Sequence, residues 1–268
     1  MPYKVYPNEP TPAPSLAPAS QALRSGVARL STPQVLIVIV ISIVIFLALI
    51  LVGFIASGLM ELSGMNGEAA FTVVFVALMA AQPLVFVGTA YLLAIRRWGL
   101  RWADFGLRKM AWRWALLVPL LWILSTPVIA GVKWVIDQAR GTPESLPYAE
   151  TFAALGPITP GLAIAIVVLA GIVVPISEEF LFRGLLYPWL RSRWGVLSAA
   201  LVSAAVFALL HVQLAVMAPI FVLGVVLALL REYSGSLWAP ILYHGIQNTV
   251  TTLALFAFLA SGDKTLAI

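Results

Sequence analysis

Long runs without a charged side chain constrain this chain more than any other feature. Residues 34–57, 69–95, 114–132 and 157–177 contain no Asp, Glu, Lys, Arg or His. From Trp194 to Leu230 the only residue of those types is His211, and from Tyr233 to Gly262 it is His244. A helix needs about 20 apolar residues to cross ~30 Å of hydrocarbon, and these runs are long enough. With 62% hydrophobic and only 10% charged residues, against about 25% charged in a soluble domain, the chain cannot hide its apolar surface in water. The first run is rich in β-branched residues, Val35, Ile37, Val38, Ile39, Val40 and Ile41 among them, which in water favour a strand. In lipid a lone segment must satisfy its own backbone, so a helix is expected. The fold class is all-α, a polytopic transmembrane bundle of seven or eight helices.

The chain has no cysteine, which excludes a disulfide framework, a thiolate metal site and a cysteine nucleophile. Its net charge of +5 lies beside apolar spans, not on a separable basic domain. It therefore reads as a topology signal, and no nucleic-acid partner is expected. Residues 1–33 hold seven prolines, from Pro2 to Pro33, and few side chains able to form a core; they read as a disordered cytoplasmic tail. The run that follows is too long for a signal peptide and is expected to be retained. Seven spans are predicted: 34–57, 69–95, 112–135, 158–190 with a kink, 195–212, 214–231 and 236–260. They divide into an N-terminal three-helix region, 34–135, and a second region, 157–260. With the N-terminus in the cytoplasm, thirteen of the sixteen Lys and Arg residues fall on that side, as the positive-inside rule requires. Trp98, Trp112, Trp134, Trp194 and Trp238 fall near span ends, where the indole prefers the headgroup layer. There is no internal repeat of the kind that builds transporters, and nothing in Arg96–Arg113 points to chemistry.

Against this background a few polar residues stand out. The fourth run leads into Val174-Pro175-Ile176-Ser177-Glu178-Glu179-Phe180-Leu181-Phe182-Arg183. Two adjacent carboxylates among bulky apolar neighbours cost about 3 kcal/mol each to insert near the bilayer centre. Pro175 removes a backbone hydrogen bond just before them and should kink the helix. Glu179 and Arg183 are four apart and face each other, whereas Glu178 is turned about 100° away and stays available. His211 ends the fifth span, and His244 and Asn248 are four apart on one face of the last. If spans 4 and 5 turn near Arg193, Glu178 and His211 both lie roughly 22–27 Å from the turn. If spans 6 and 7 turn near Gly235, Asn248 lies roughly 20 Å and His244 roughly 14 Å beyond it. The four groups can share one layer.

A carboxylate in a partly dry pocket is a stronger base than in water. Glu178 can take a proton from a water held between it and His211, while His244 and the Asn248 amide donate to the oxygen of a scissile carbonyl. No serine is positioned as a nucleophile. The same atoms admit a second reading, a divalent ion such as zinc held by Glu178, His211 and His244 with a water in the open position. The His-Glu-x-x-His helix is absent, and metal-free activation of water is the preferred of the two.

Glu-Glu-x-x-x-Arg at 178–183, Phe-x-x-x-His at 207–211 and His-x-x-x-Asn at 244–248, in this order on apolar helices, resemble the CPBP family of CAAX prenyl endopeptidases and bacteriocin-processing or immunity proteins. The resemblance covers about residues 157–260. It implies an intramembrane endopeptidase in which Glu178 and His211 activate water and His244 and Asn248 stabilise the transition state, with Glu179, Arg183 and Phe207 as structural support. It implies a membrane-associated protein or peptide as substrate, prenylated or bacteriocin-like, and membrane lipid as the other partner, in a bacterial plasma membrane. The family includes members described as metalloproteases and as glutamate peptidases, so both readings of the site stay open. Two other classes compete: a non-catalytic scaffold or immunity factor that keeps the motifs for packing, and a proton-coupled carrier.

Overall fold

The structure is a computed structural model that describes residues 26–141, 148–211 and 213–261; the proline-rich stretch 1–25, read as a tail, lies outside the described residues. Every long element is a helix, and there is no strand among the described residues. Helix α1 (Thr32–Leu62) starts where Ser31 and Gln34 form a reciprocal capping box with proline in the first turn. Helix α2 (Gly67–Ala90) is capped by Asn66, whose side chain accepts from the amides of Glu68 and Ala69. A π turn, Tyr91–Arg97, extends it. Helix α3 (Trp112–Arg140) is followed by a short α4 (Ala149–Ala153). The next helical run, Pro160–Leu209, is opened by Thr159, whose hydroxyl accepts from the Leu162 amide, with Pro160 in the first turn. Gly195 breaks it at φ 79°, ψ −178°. That extended, left-handed-side backbone suits only glycine, and it divides the run into α5 (160–194) and α6 (196–209), two residues from the turn expected at Arg193. Helices α7 (Leu214–Ser234) and α8 (Trp238–Ser261) complete the chain.

Five helical runs are long and apolar enough to cross a membrane, and the 50-residue Pro160–Leu209 run holds two of the predicted spans. Helix α8 falls outside this group because His244, Gln247, Asn248, Thr249, Thr251 and Thr252 lower its hydropathy. Large apolar side chains line the outer faces of α1 and α3: Leu51, Phe54 and Leu59, then Leu116, Leu124 and Trp134, are all more than half exposed. Such surfaces need lipid as solvent. The chain is a helical membrane bundle, as its uncharged runs predict.

Helix α5 is the axis of the molecule, since every residue from 179 to 190 is buried, and only a central helix is covered on all faces. Helices α1 and α2 form one hairpin and α6 and α7 another; α2 packs on α5, and α3 packs on α7 and α8. The N-terminal helices are thus part of the wall around α5. The last residues of the stretch read as a tail are held too: Val27 and Leu30 are buried, and the Leu30 carbonyl accepts from the Trp189 indole at 3.2 Å and from Arg193 at 2.8 Å. Two apolar side chains and one carbonyl suffice to dock this segment on the end of α5. Residues Arg96–Arg113 also do more than cover the surface. Phe105 stacks on Phe180 at 4.5 Å between ring centres, and the Gly106 carbonyl accepts from the Leu237 amide at 2.8 Å.

Candidate active site

Pro175 sits in the first turn of the helical stretch Val174–Glu179, directly after a π turn at Leu169–Val173, and a second π turn, Phe180–Leu186, follows. The expected kink is realised as these two widened turns on either side of the acids. A proline lacks the amide proton that closes the preceding turn, and the π turn absorbs that defect. Backbone carbonyls released there are used: Ala170 accepts from the Asn248 amide at 3.1 Å, and Arg183 accepts from the Arg231 guanidinium at 3.2 Å.

The approach of α8 to this part of α5 depends on two glycines. A Cβ on Gly245 would stand 2.6 Å from the Gly171 carbonyl oxygen, and one on Gly171 would stand 2.1 Å from the Thr249 hydroxyl. With no side chains between them the backbones close up, and His244 and Asn248 reach over the acids of α5.

Glu179 and Arg183 pair as the helical spacing predicts, at 3.1 Å, both with fully buried side chains. Glu179 also has a second task. Its Oε1 accepts from His244 Nδ1 at 2.9 Å, so it fixes the imidazole with Nε2 directed away. Arg183 donates to the Gly224 carbonyl at 3.0 Å and lies 4.4 Å over the Phe207 ring. Gly224 is needed there, because a Cβ would meet the Cβ of Ala204 at 2.9 Å. One cation therefore ties α5, α6 and α7 together.

Glu178 is 14% exposed, and its Oε2 lies 3.7 Å from His244 Nε2. It is not unpartnered, as the sequence suggests: the Gln82 side-chain amide, from α2, donates to its Oε1 at 2.8 Å. His211 Nδ1 lies 2.9 Å from the Phe207 carbonyl, which favours the tautomer with the Nε2 lone pair free. The Phe207 ring stands between the two histidines, 4.8 Å from the His211 ring and 5.8 Å from that of His244. Glu178, Glu179, Arg183, Phe207, His244 and, through the α5 backbone, Asn248 are therefore one connected cluster. His211 joins it across Phe207, with no direct hydrogen bond to Glu178.

The zinc reading requires Glu178, His211 and His244 to converge on one point. Among the described residues no three His, Asp or Glu side chains gather in a group able to hold an ion. Nδ1 of each histidine is engaged, by Glu179 and by the Phe207 carbonyl, which leaves only the Nε2 atoms as donors, and these do not gather with Glu178 into one group. As placed, the donor set does not assemble a metal centre, and the metalloprotease reading finds no support among the described residues.

Three contributors are missed by sequence reasoning. Gln82 is the one carboxamide in the uncharged run 69–95, a signal that was available but pointed to no partner. Gln247 accepts from the Trp122 indole at 2.8 Å, which fastens α8 to α3. Tyr148, outside the spans, is the only non-glycine residue at positive φ among the described residues, at 68°; burial, and then the nearby charge of Glu178, push its phenol up to about 12.

Residues 160–250 match the family profile described as type II CAAX prenyl endopeptidase Rce1-like. Among curated proteins, the chain is similar to an uncharacterized 24.3 kDa protein of Escherichia coli, 36% identical over 89 residues, which is 31% of this chain and 40% of that protein. It is also similar to the candidate membrane peptidase YdiL of Bacillus subtilis strain 168, 28% identical over 87 residues, 32% of this chain and 36% of YdiL. The chain thus covers about two fifths of the length of these relatives, and no solved structure matches it. The family that the three motifs imply is the one whose profile residues 160–250 match, and every residue of those motifs, from Glu178 to Asn248, lies within that segment.

Proposed function

We propose that the chain is an intramembrane endopeptidase that hydrolyses a peptide bond of a membrane-associated protein or peptide, prenylated or bacteriocin-like, by water activated without a metal. The observation that carries this reading is the arrangement of Glu178 and His244: Oε2 and Nε2 stand 3.7 Å apart, and the far side of the imidazole rests on a second carboxylate, Glu179. In the proposed reaction Glu178 takes a proton as water attacks the scissile carbonyl, and the free Nε2 of His211 is the second group assigned to that water. Glu179 accepts from Nδ1–H of His244, which turns Nε2 toward Glu178; with a proton on it, Nε2 donates to the developing oxyanion. The Asn248 amide uses one N–H on the Ala170 carbonyl and has a second for the same oxyanion. The proton passes to the departing amine as the C–N bond breaks.

The distribution of Lys and Arg supports an N-terminus on the cytoplasmic side, and with it cleavage near that face of a bacterial plasma membrane. The test compares protein termini in membranes holding the wild type, Glu178→Ala or His211→Ala, with insertion checked by fractionation. A terminus made only by the wild type, lost at least 100-fold in either variant, is the expected result. Retained cleavage in Glu178→Ala, or a cellular phenotype indifferent to Glu178→Gln, favours a non-catalytic scaffold or immunity factor instead.

A further inference from the structure

The Gln82 amide is 7% exposed on a helix whose neighbouring side chains are apolar, and it comes from outside the segment that matches the family profile. A buried amide must find a partner or lose its hydration without return. Among the described residues its side-chain amide is partnered by Glu178 Oε1, at 2.8 Å. Packing between α2 and α5 is already supplied by Val85, Phe86 and Ala90 in the same apolar cluster as Phe180 and Leu181, so Gln82 is not needed to hold the helices together. Its effect is on the carboxylate. A hydrogen bond to one oxygen stops rotation of the carboxylate and makes its two oxygens unequal: Oε1 is engaged by the amide, and Oε2 is the one turned to His244 Nε2.

We infer that Gln82 is a positioning residue for Glu178, holding Oε1 so that Oε2 is presented to water and to the scissile carbonyl. The inference rests on the peptidase reading of the site. It assigns to α2 a part in the chemistry that the matched segment alone does not contain. Gln82 touches no reacting atom and acts through Glu178, so its loss leaves substrate affinity in place and slows the chemical step.

The full chain in liposomes, as wild type, Gln82→Met, Gln82→Asn and Glu178→Ala, is tested on an internally quenched peptide that ends in a farnesylated CAAX motif. Methionine keeps length and bulk but cannot donate; asparagine keeps the amide and withdraws it by one methylene, which guards against a folding defect in the first variant. The expected result is a fall in kcat of about 10- to 100-fold in both variants, the scale set by a small displacement of a reacting group, with KM changed less than about twofold. The carboxylate stretching band of Glu178, isolated as an infrared difference against Glu178→Ala, should shift in Gln82→Met. If wild type cleaves, Glu178→Ala does not, and both Gln82 variants cleave at the wild-type rate, the inference is overturned while the peptidase reading stands. If wild type and Glu178→Ala are equally inactive, the reading fails on this substrate, and an unshifted infrared band overturns the positioning contact by itself.

Discussion

At the scale of the residue, Glu179 decides more than its neighbour Glu178 suggests. One oxygen accepts from both Arg183 and His244, so this carboxylate balances a buried guanidinium and orients an imidazole at once. Removing one member of a fully buried ion pair strands the other charge, at a cost of about 3–5 kcal/mol. Glu179→Gln is therefore expected to lower thermal stability in detergent markedly and to abolish cleavage. The two effects separate in the double variant Glu179→Gln with Arg183→Met: with no stranded charge it should recover most of the stability, because apolar replacement of a buried pair is often neutral. It should not recover cleavage, since His244 still lacks its carboxylate. Unfolding curves and cleavage rates on the wild type and the two variants check this, and recovery of both together would mean that Glu179 serves packing alone.

At the scale of the element, the two glycines between α5 and α8 set the geometry of the site. Gly245→Ala drives a methyl group to 2.6 Å from a backbone oxygen, which has no flexible end to move aside. Such overpacking costs about 1–3 kcal/mol, and relief by a shift of α8 carries His244 and Asn248 away from Glu178. Cleavage is expected to fall at least tenfold in Gly245→Ala, while Gly131→Ala, with nothing within 4 Å of the added methyl, should match the wild type in both rate and melting temperature. Helix existence was legible in the sequence because uncharged runs of span length are a local signal. The Glu179–Arg183 pair was legible because four residues along a helix is a local spacing. The partner of Glu178 was not, because Gln82 lies 96 residues from it; that of His211 is one turn back, but a backbone carbonyl such as that of Phe207 leaves no mark in the sequence. The contact of Gly171 with Gly245 leaves no trace in hydropathy, since it appears only when two backbones meet.

At the scale of the whole molecule, the family resemblance and the physical unit have different boundaries. The matched segment begins at residue 160, yet the buried middle of α5 is covered by α2, whose Gln82 meets Glu178, and Trp122 of α3 holds Gln247 of α8. A chain that starts at residue 148 would carry all seven motif residues but expose to lipid the Glu178 face that α2 normally covers. Lipid offers no hydrogen bond to such groups. Residues 148–268 expressed alone are therefore expected to accumulate poorly in membranes and to be inactive. Covalent continuity is not what the site requires, because the helices before residue 142 contribute through packing across the bundle. Co-expression of residues 1–141 with 148–268 should restore membrane accumulation and at least part of the cleavage, and Gln82→Met in the first fragment should reduce the restored rate without preventing assembly. Co-purification of the fragments and the rate of peptide cleavage measure the two effects separately. Activity of 148–268 by itself at the level of the full chain would show that the N-terminal helices are an anchor and no part of the site.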